Sequence, residues 1–308
     1  MTIALISHPD CEKHEMGAGH PERPQRLGAI NDRLIASGLS ILMHHYDAPM
    51  ATREQLQRVH DSNYVAAIFD QAPDEGDTLV WIDPDTAMNE HTLTAALRAA
   101  GAVVLGVDLV LSGKEQCAFC NVRPPGHHAE HNRAMGFCFF NNVAVGTAHA
   151  LQAHGLERVA IVDFDVHHGN GSEDIFRAEP RVLLCSTFQH PFYPYSGSDT
   201  QSPNMVNVPL PSGSGSKPFR DAVEQYWLPA LSQFKPQLIM ISAGFDAHSA
   251  DDMAGLCLVD DDYAWVTRQI KAVAAKTAKG RIVSSLEGGY ELHALARSAE
   301  AHIAALAE

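Results

Sequence analysis

The sequence predicts an α/β fold: a mostly parallel sheet with helices on both faces. Three observations carry this. Short apolar runs alternate with longer amphipathic stretches along all 308 residues. The short runs are rich in Val, Ile and Leu with little alternation, as in strands covered on both faces. The longer stretches carry apolar residues at helical spacing.

In chain order, strands are expected at residues 3–6, 117–122, 158–162, 182–186, 237–242 and 281–285. Helices are expected at about 24–37, 92–112, 141–154, 216–233, 260–278 and 291–307. The stripe is clearest over 92–111, where Leu93, Ala96, Leu97, Ala100, Val103 and Val104 share one face. Residues 189–217 are crowded with Pro, Gly, Ser and aromatics and are expected to be irregular; a loop that long in a compact domain is usually functional. Residues 9–23 and 72–89 are candidate rim loops. No internal repeat or linker divides the chain, so residues 1–308 are expected to form one catalytic domain.

Composition narrows the function. Hydrophobic residues make up 45% and charged residues 19%, an ordinary globular balance. A net charge of −15 argues against nucleic-acid binding by phosphate neutralisation. It would weakly attract a cationic substrate, or only keep the chain soluble. No apolar run is read as reaching the roughly 20 residues of a membrane helix. The first residues carry no basic segment before a long apolar stretch, so no signal peptide is expected. The expected setting is the cytoplasm, where the six cysteines stay reduced. Cys117 and Cys120 form a CxxC inside a strand-like run with no second ligand pair, which reads as packed thiols before a structural zinc.

The chemistry gathers where apolar runs end. The segment 158–171, RVAIVDFDVHHGNG, leads a buried strand into Asp163, Asp165 and His167. If the strand persists, its period of two puts all three on one face. Ligands of open α/β sheets bind beyond the carboxyl ends of the strands, where this group would lie. Two buried carboxylates and an imidazole are costly together without a cation; a buried hydrogen-bond network is the alternative. A second run, 237–244, ends at Asp246. With Asp165 and His167 it would give a three-ligand N/O set with an open position, as in a catalytic zinc site. Alone, Asp246 would read as a helix cap.

A third run leads into RPPGHHAE, which exposes His127 and His128 on a proline- and glycine-fixed turn. A histidine beside a metal-bound water can take its proton and return it to a leaving amine. The fourth, 281–285, ends in LEGGY, where Gly288 and Gly289 admit a close approach of backbone and Tyr290 offers a donor to an oxyanion. Four strand ends thus supply the parts for metal-assisted hydrolysis of a carbonyl compound.

The ordered motifs RPPGHHAE, GFCFFNNVAV, DFDVHHGNG, SAGFDAH and LEGGYEL resemble the zinc-dependent histone deacetylase family. HPERPQRL and RVHDSNYV are similar to it as well. The spellings look closest to the class II branch, with its bacterial histone deacetylase-like amidohydrolases and acetylpolyamine amidohydrolases. The resemblance implies the three-layer α/β/α arginase/deacetylase fold. It implies one Zn2+ on Asp165, His167 and Asp246, with His128 as general base and acid. It implies His127 as an electrostatic aid, Tyr290 as the carbonyl polariser, and Asp163 and Asn170 as partners of the two histidines. Many relatives carry Asp where Asn170 stands, and Asn supplies no charge, so His128 should be less basic here. Gly136, Phe137, Tyr193 and Gly288 match the tunnel walls; many relatives have Phe at the place of Tyr193. A structural K+ is implied on Asp163, Asp165, His167, Ser186 and Thr187.

The implied reaction is hydrolysis of an acyl amide, with acetyl-lysine in proteins or peptides as substrate, or else an acetylated polyamine. Glu12, Glu15, Asp83 and Asp85 are candidate rim acids for the latter. Two other readings stay open. An arginase-like two-metal hydrolase would need more Asp ligands, and a non-catalytic acyl-binding module would predict damage to the triad, the histidines or the tyrosine. Iron(II) or cobalt would suit the same ligands, and the oligomeric state is left open.

Overall fold

The six apolar runs fold as the six interior strands of one eight-stranded sheet in this computed structural model, which describes residues 3–76 and 78–308. In chain order the strands are β1 (Ile3–Ser7), β2 (Met43–Asp47), β3 (Val80–Asp83), β4 (Thr86–Met88), β5 (Cys117–Cys120), β6 (Val159–Asp163), β7 (Val182–Gln189), β8 (Met205–Leu210), β9 (Leu238–Ala243) and β10 (Ile282–Leu286). The sheet order is β2-β1-β5-β10-β9-β6-β7-β8, and every pairing in it is parallel. The two strands missing from the sequence reading are its edges. β2 reads MHHYD, with His44, His45 and Asp47 exposed, and β8 carries Pro209. Edge strands tolerate polar residues and proline because one side is never paired inside the sheet. β8 therefore interrupts the stretch 189–217 expected to be irregular. The rim loop 72–89 likewise contains the antiparallel hairpin β3–β4, with Asp77 outside the described residues.

Helices cover both faces, and register shows which. Ala118, Val283 and Met240 are aligned across β5, β10 and β9. Gly106 sits against Ala118 and Val283, and Gly146 against Met240, so helices Thr92–Leu111 and Asn142–Gln152 cover this face. Phe119 and Ser284 are also aligned but point the other way. His302, on helix Leu292–Ala307, hydrogen-bonds Ser284 at 2.9 Å and meets the Phe119 ring, placing that helix on the opposite face. Helices Asp260–Thr277 and Gln25–Ala36 pack alongside it.

Two further expectations change, and the packed-thiol reading of Cys117 and Cys120 holds. Helix Thr92–Leu111 is in fact 20 residues long with a mean hydropathy of 1.8, enough to cross a membrane by composition. Its best window is 72% buried inside the protein, so it serves as a core helix. The single helix expected at 216–233 is built as Ser216–Ala222 and Leu228–Phe234 around a wider i→i−5 turn, Val223–Trp227. Pro229 has no N–H to continue the regular ladder there. Cys117 and Cys120 are buried three residues apart on β5, on opposite faces, so they cannot share an ion.

Two buried histidines make a testable consequence. His60 takes the Asn141 N–H on Nε2 at 2.9 Å and reaches the Glu130 carbonyl with Nδ1 at 2.9 Å. Burial pushes its pKa down to about 4, and burial pushes His302 down to about 3. Both are neutral when folded, while the unfolded chain protonates near 6.5. Their contribution is complete above that value and is lost as pH falls toward 4, because the unfolded state then binds the extra protons. Urea unfolding from pH 7.5 to 4.5 is expected to show stability falling by about 1.4 kcal/mol per pH unit for each histidine below pH 6. A flat profile would contradict the neutral assignment.

Candidate functional site

The ends of β5, β6, β9 and β10 meet at one rim, as their motifs suggest. β6 stops at Asp163, so the strand does not persist through Asp165 and His167. The alternation survives by another route. Asp163 Oδ1 accepts the Asp165 N–H at 3.1 Å, and Asp165 Oδ1 accepts the His167 N–H at 2.9 Å. Each carboxylate thus ties the backbone two residues ahead, a local bond that Asp favours outside regular structure.

Asp165, His167 and Asp246 offer ligand atoms that all lie within 4.8 Å of one another, and all three are buried. His167 Nδ1 lies 3.0 Å from Asp165 Oδ1 and 3.2 Å from Asp246 Oδ2. Asp246 Oδ1 accepts the Val166 N–H at 2.9 Å, but its Oδ2 is buried with no hydrogen-bond partner. Burial and the nearby Asp165 carboxylate push the Asp246 pKa up to about 6. Burial opposes a proton on His167, but Asp165 and Asp246 overcome it and hold its pKa up at about 9. A proton therefore sits where a cation would relieve both carboxylates, and this donor set fits a divalent metal ion. Gly244 and Gly288 make the close packing possible: a Cβ on either would lie 2.1 Å from a carboxylate oxygen of Asp165 or Asp246.

The histidine pair stands beside this group. His127 Nδ1 meets Asp163 Oδ2 at 3.0 Å. Burial works against its charge, yet Asp165 and Asp163 hold its pKa up at about 10. His128 behaves oppositely: burial and the neighbouring His127 and His167 drive its pKa well below the usual value. Its tautomer is set by Asn170, whose Nδ2 donates to Glu130 Oε1 at 2.7 Å and so turns Oδ1 toward His128 Nδ1, 2.7 Å away. Nδ1 then carries the proton, and Nε2 keeps a free lone pair. Two adjacent imidazoles are thereby held in different charge states.

A cavity of about 220 Å³ opens onto this rim, lined by His128, His167, Tyr290, Gly136, Phe137 and Tyr193. Phe192, Met253 and Asp85 complete it. Phe192 stacks on His167 at a centroid distance of 5.5 Å, and Tyr193 stands edge-on to His128 at 5.3 Å. Gly136 has φ +56, and a Cβ there would strike the His128 ring at 2.5 Å. Gly288 is not among the residues lining this cavity, and its N–H donates to Asp165 Oδ2 at 2.8 Å. Of the four rim acids, only Asp85 lines the cavity; Asp83 instead pairs with Arg133 at 3.6 Å.

Sequence reading missed the groups that hold Tyr290. Asp251 Oδ2 accepts the Tyr290 and Glu291 N–H groups at 2.6 and 3.0 Å. The Arg26 guanidinium lies 5.0 Å over the Tyr290 ring and donates to the Gly289 carbonyl at 2.6 Å. Glu287 Oε2 accepts the Gly126 and His127 N–H groups, which fixes the turn carrying both histidines. Phe192 and Met253 were also passed over, since one apolar residue in a loop carries no periodic signal. Arg26 and Glu287 lie inside the quoted motifs HPERPQRL and LEGGYEL; charge in a buried motif was the available clue.

Sheet order, helical layers and rim together fit an α/β enzyme of the arginase/deacetylase architecture. The comparisons make this specific: residues 20–306 match the histone deacetylase domain, and the chain belongs to the histone deacetylase family. It is 37% identical over 280 residues to a histone deacetylase-like amidohydrolase of Pseudomonas aeruginosa, covering 89% of this chain and 73% of that protein. It is 35% identical over 317 residues to the human polyamine deacetylase HDAC10, covering 97% of this chain and 47% of the relative. The crystal structure of the HDA15 HD domain superposes with a TM-score of 0.92 at 34% identity, over 100% of this chain and 90% of that one. The protein is accordingly a deacetylase-family hydrolase acting on amide bonds.

Proposed function

We propose that this hydrolase is zinc-dependent and removes acetyl groups from acetyl-lysine in proteins or peptides. The observation that carries the reading is the meeting of the Asp165–His167–Asp246 group, the neutral His128 and Tyr290 at one cavity. Zinc held by the three ligands would supply Lewis-acid polarisation of the amide carbonyl and a more acidic water. The chain's own residues do the rest. His128 Nε2, with its lone pair free, takes the proton from the attacking water. His127, held cationic by Asp163, favours the negative charge that develops beside it. Tyr290 donates to the oxyanion; burial and Asp246 keep its phenol protonated well above the usual range. His128 then gives its proton to the departing amine, leaving acetate and a free lysine.

The cavity walls support this choice of substrate. Phe137, Phe192 and Met253 suit the apolar stem of an acyl-lysine, whereas a short polyamine would bring its second ammonium among them with Asp85 as the one acid on the wall. A structural K+ is proposed on Asp163, Ser186 and the carbonyls of Asp165, His167 and Thr187. Ser186 is aligned with Asp163 across β7 and β6, and its Oγ is buried with no hydrogen-bond partner. The setting we propose is the cytoplasm, on the chain's cysteine usage. Turnover of an acetyl-lysine peptide against N-acetylputrescine tests the substrate. The peptide is expected to give at least a tenfold higher kcat/KM; faster polyamine turnover by a similar margin would overturn the assignment.

A further inference from the structure

A second cluster of ligating side chains lies away from the rim. Asp108 stands near the end of helix Thr92–Leu111, His149 near the end of helix Asn142–Gln152, and His154 in the turn that follows. The two helices pack against each other. His149 Nε2 lies 2.8 Å and His154 Nε2 2.7 Å from the same oxygen, Asp108 Oδ1. The two rings meet nearly perpendicular, at 78° with centroids 5.3 Å apart. All three ligand atoms fall within 4.8 Å of one another.

We infer that Asp108, His149 and His154 form a second metal site, for a borderline divalent cation such as Zn2+, Ni2+ or Cu2+. The donor set decides the class, since two imidazoles and one carboxylate suit these ions and not Ca2+ or Mg2+, which prefer oxygen. Access is open: the Asp108 side chain is 48% exposed and that of His154 is 29% exposed. A hydrated ion can therefore enter and keep waters in its remaining positions. Ligand bonds of about 2.0–2.1 Å place ligand atoms roughly 3.3 Å apart in a tetrahedral site. The cluster must open by about half an ångström from its hydrogen-bonded spacing, a small rotation for two partly exposed side chains.

Arg58 opposes the ion. Its Nη1 lies 2.8 Å from His149 Nδ1, and its Nη2 is 3.3 Å from Glu54. Arg58 donates to Nδ1, so His149 carries its proton on Nε2 and gives it to Asp108. A metal on Nε2 moves that proton to Nδ1, and Arg58 must then turn away toward Glu54. Removing Arg58 therefore tightens the site. The location keeps it separate from the rim: along helix Asn142–Gln152, His149 lies about 10 Å beyond Asn142. The first residue, Asn142, donates to the Pro124 carbonyl at 3.1 Å in the turn before the two histidines. The ion would clamp the far end of that helix to its neighbour.

The test uses whole protein already loaded with zinc and then dialysed against Zn2+ in small excess. Wild type is expected to bind one equivalent more than His154→Ala or Asp108→Asn, and to gain thermal stability from the added zinc where those variants do not. Arg58→Ala is expected to bind the extra equivalent several-fold more tightly. Equal uptake by wild type, His154→Ala and Asp108→Asn would overturn the site. An unchanged or weaker affinity in Arg58→Ala would overturn the role given to Arg58. Because the readout is the difference between wild type and variants, it stands whatever the rim binds.

Discussion

Replacing His128 by alanine is expected to lower kcat about 10²- to 10⁴-fold, the usual cost of losing a positioned general base. KM should change little and metal content not at all. The reasoning is local. His128 is buried and neutral, its Nδ1–H is committed to Asn170 2.7 Å away, and its ring centroid lies 5.7 Å from that of His167. Nε2 is left as the base. His127 is poorly placed to take over, because its Nδ1 is bound to Asp163 at 3.0 Å and that carboxylate favours the cation. Steady-state rates and metal analysis on the same preparation check this. A variant retaining more than a tenth of wild-type kcat would remove His128 from the proton transfer.

Replacing Asp246 by alanine is expected to abolish both metal binding and hydrolysis. Losing an outer partner of a ligand typically costs 10- to 100-fold in affinity; losing a ligand itself should cost more. Asp246 Oδ2 is buried 3.2 Å from His167 Nδ1 and makes no regular hydrogen bond, so it is placed to share an ion with that ring. Its other oxygen also holds the Val166 backbone at 2.9 Å, so alanine alone would mix two effects. Asp246→Asn can keep that acceptor while giving up the charge, and it should still fold with its metal affinity sharply reduced. Metal content after dialysis, read with circular dichroism, separates the outcomes. Full metal occupancy in a folded Asp246→Asn would contradict the ligand assignment.

The interior of the sheet was legible in the sequence because strands covered on both faces must be apolar throughout. β2 and β8 were not, because edge strands escape that demand: His44, His45 and Pro209 are tolerated where one side of the strand has no partner. At the rim, Asp165, His167 and Asp246 could be picked out because each closes an apolar run. The reason given for their alignment was the part that failed. β6 ends at Asp163, and two Asp side chains tying backbone amides, not a continued strand, keep the alternation. Asp251 and Arg26 stayed hidden because they act on the Tyr290 segment from 39 and 263 residues away along the chain. Gly288 was recognised as a place of close approach, and the Asp165 and Asp246 carboxylates do approach it.

The central claim is that a metal ion at Asp165, His167 and Asp246 drives amide hydrolysis at this rim. Acetate release from an acetyl-lysine peptide, measured before chelation, after it, and after return of zinc, tests this most directly. Activity should vanish on chelation and return with one equivalent of zinc at the rim. Hydrolysis by the stripped protein at the original rate would contradict it.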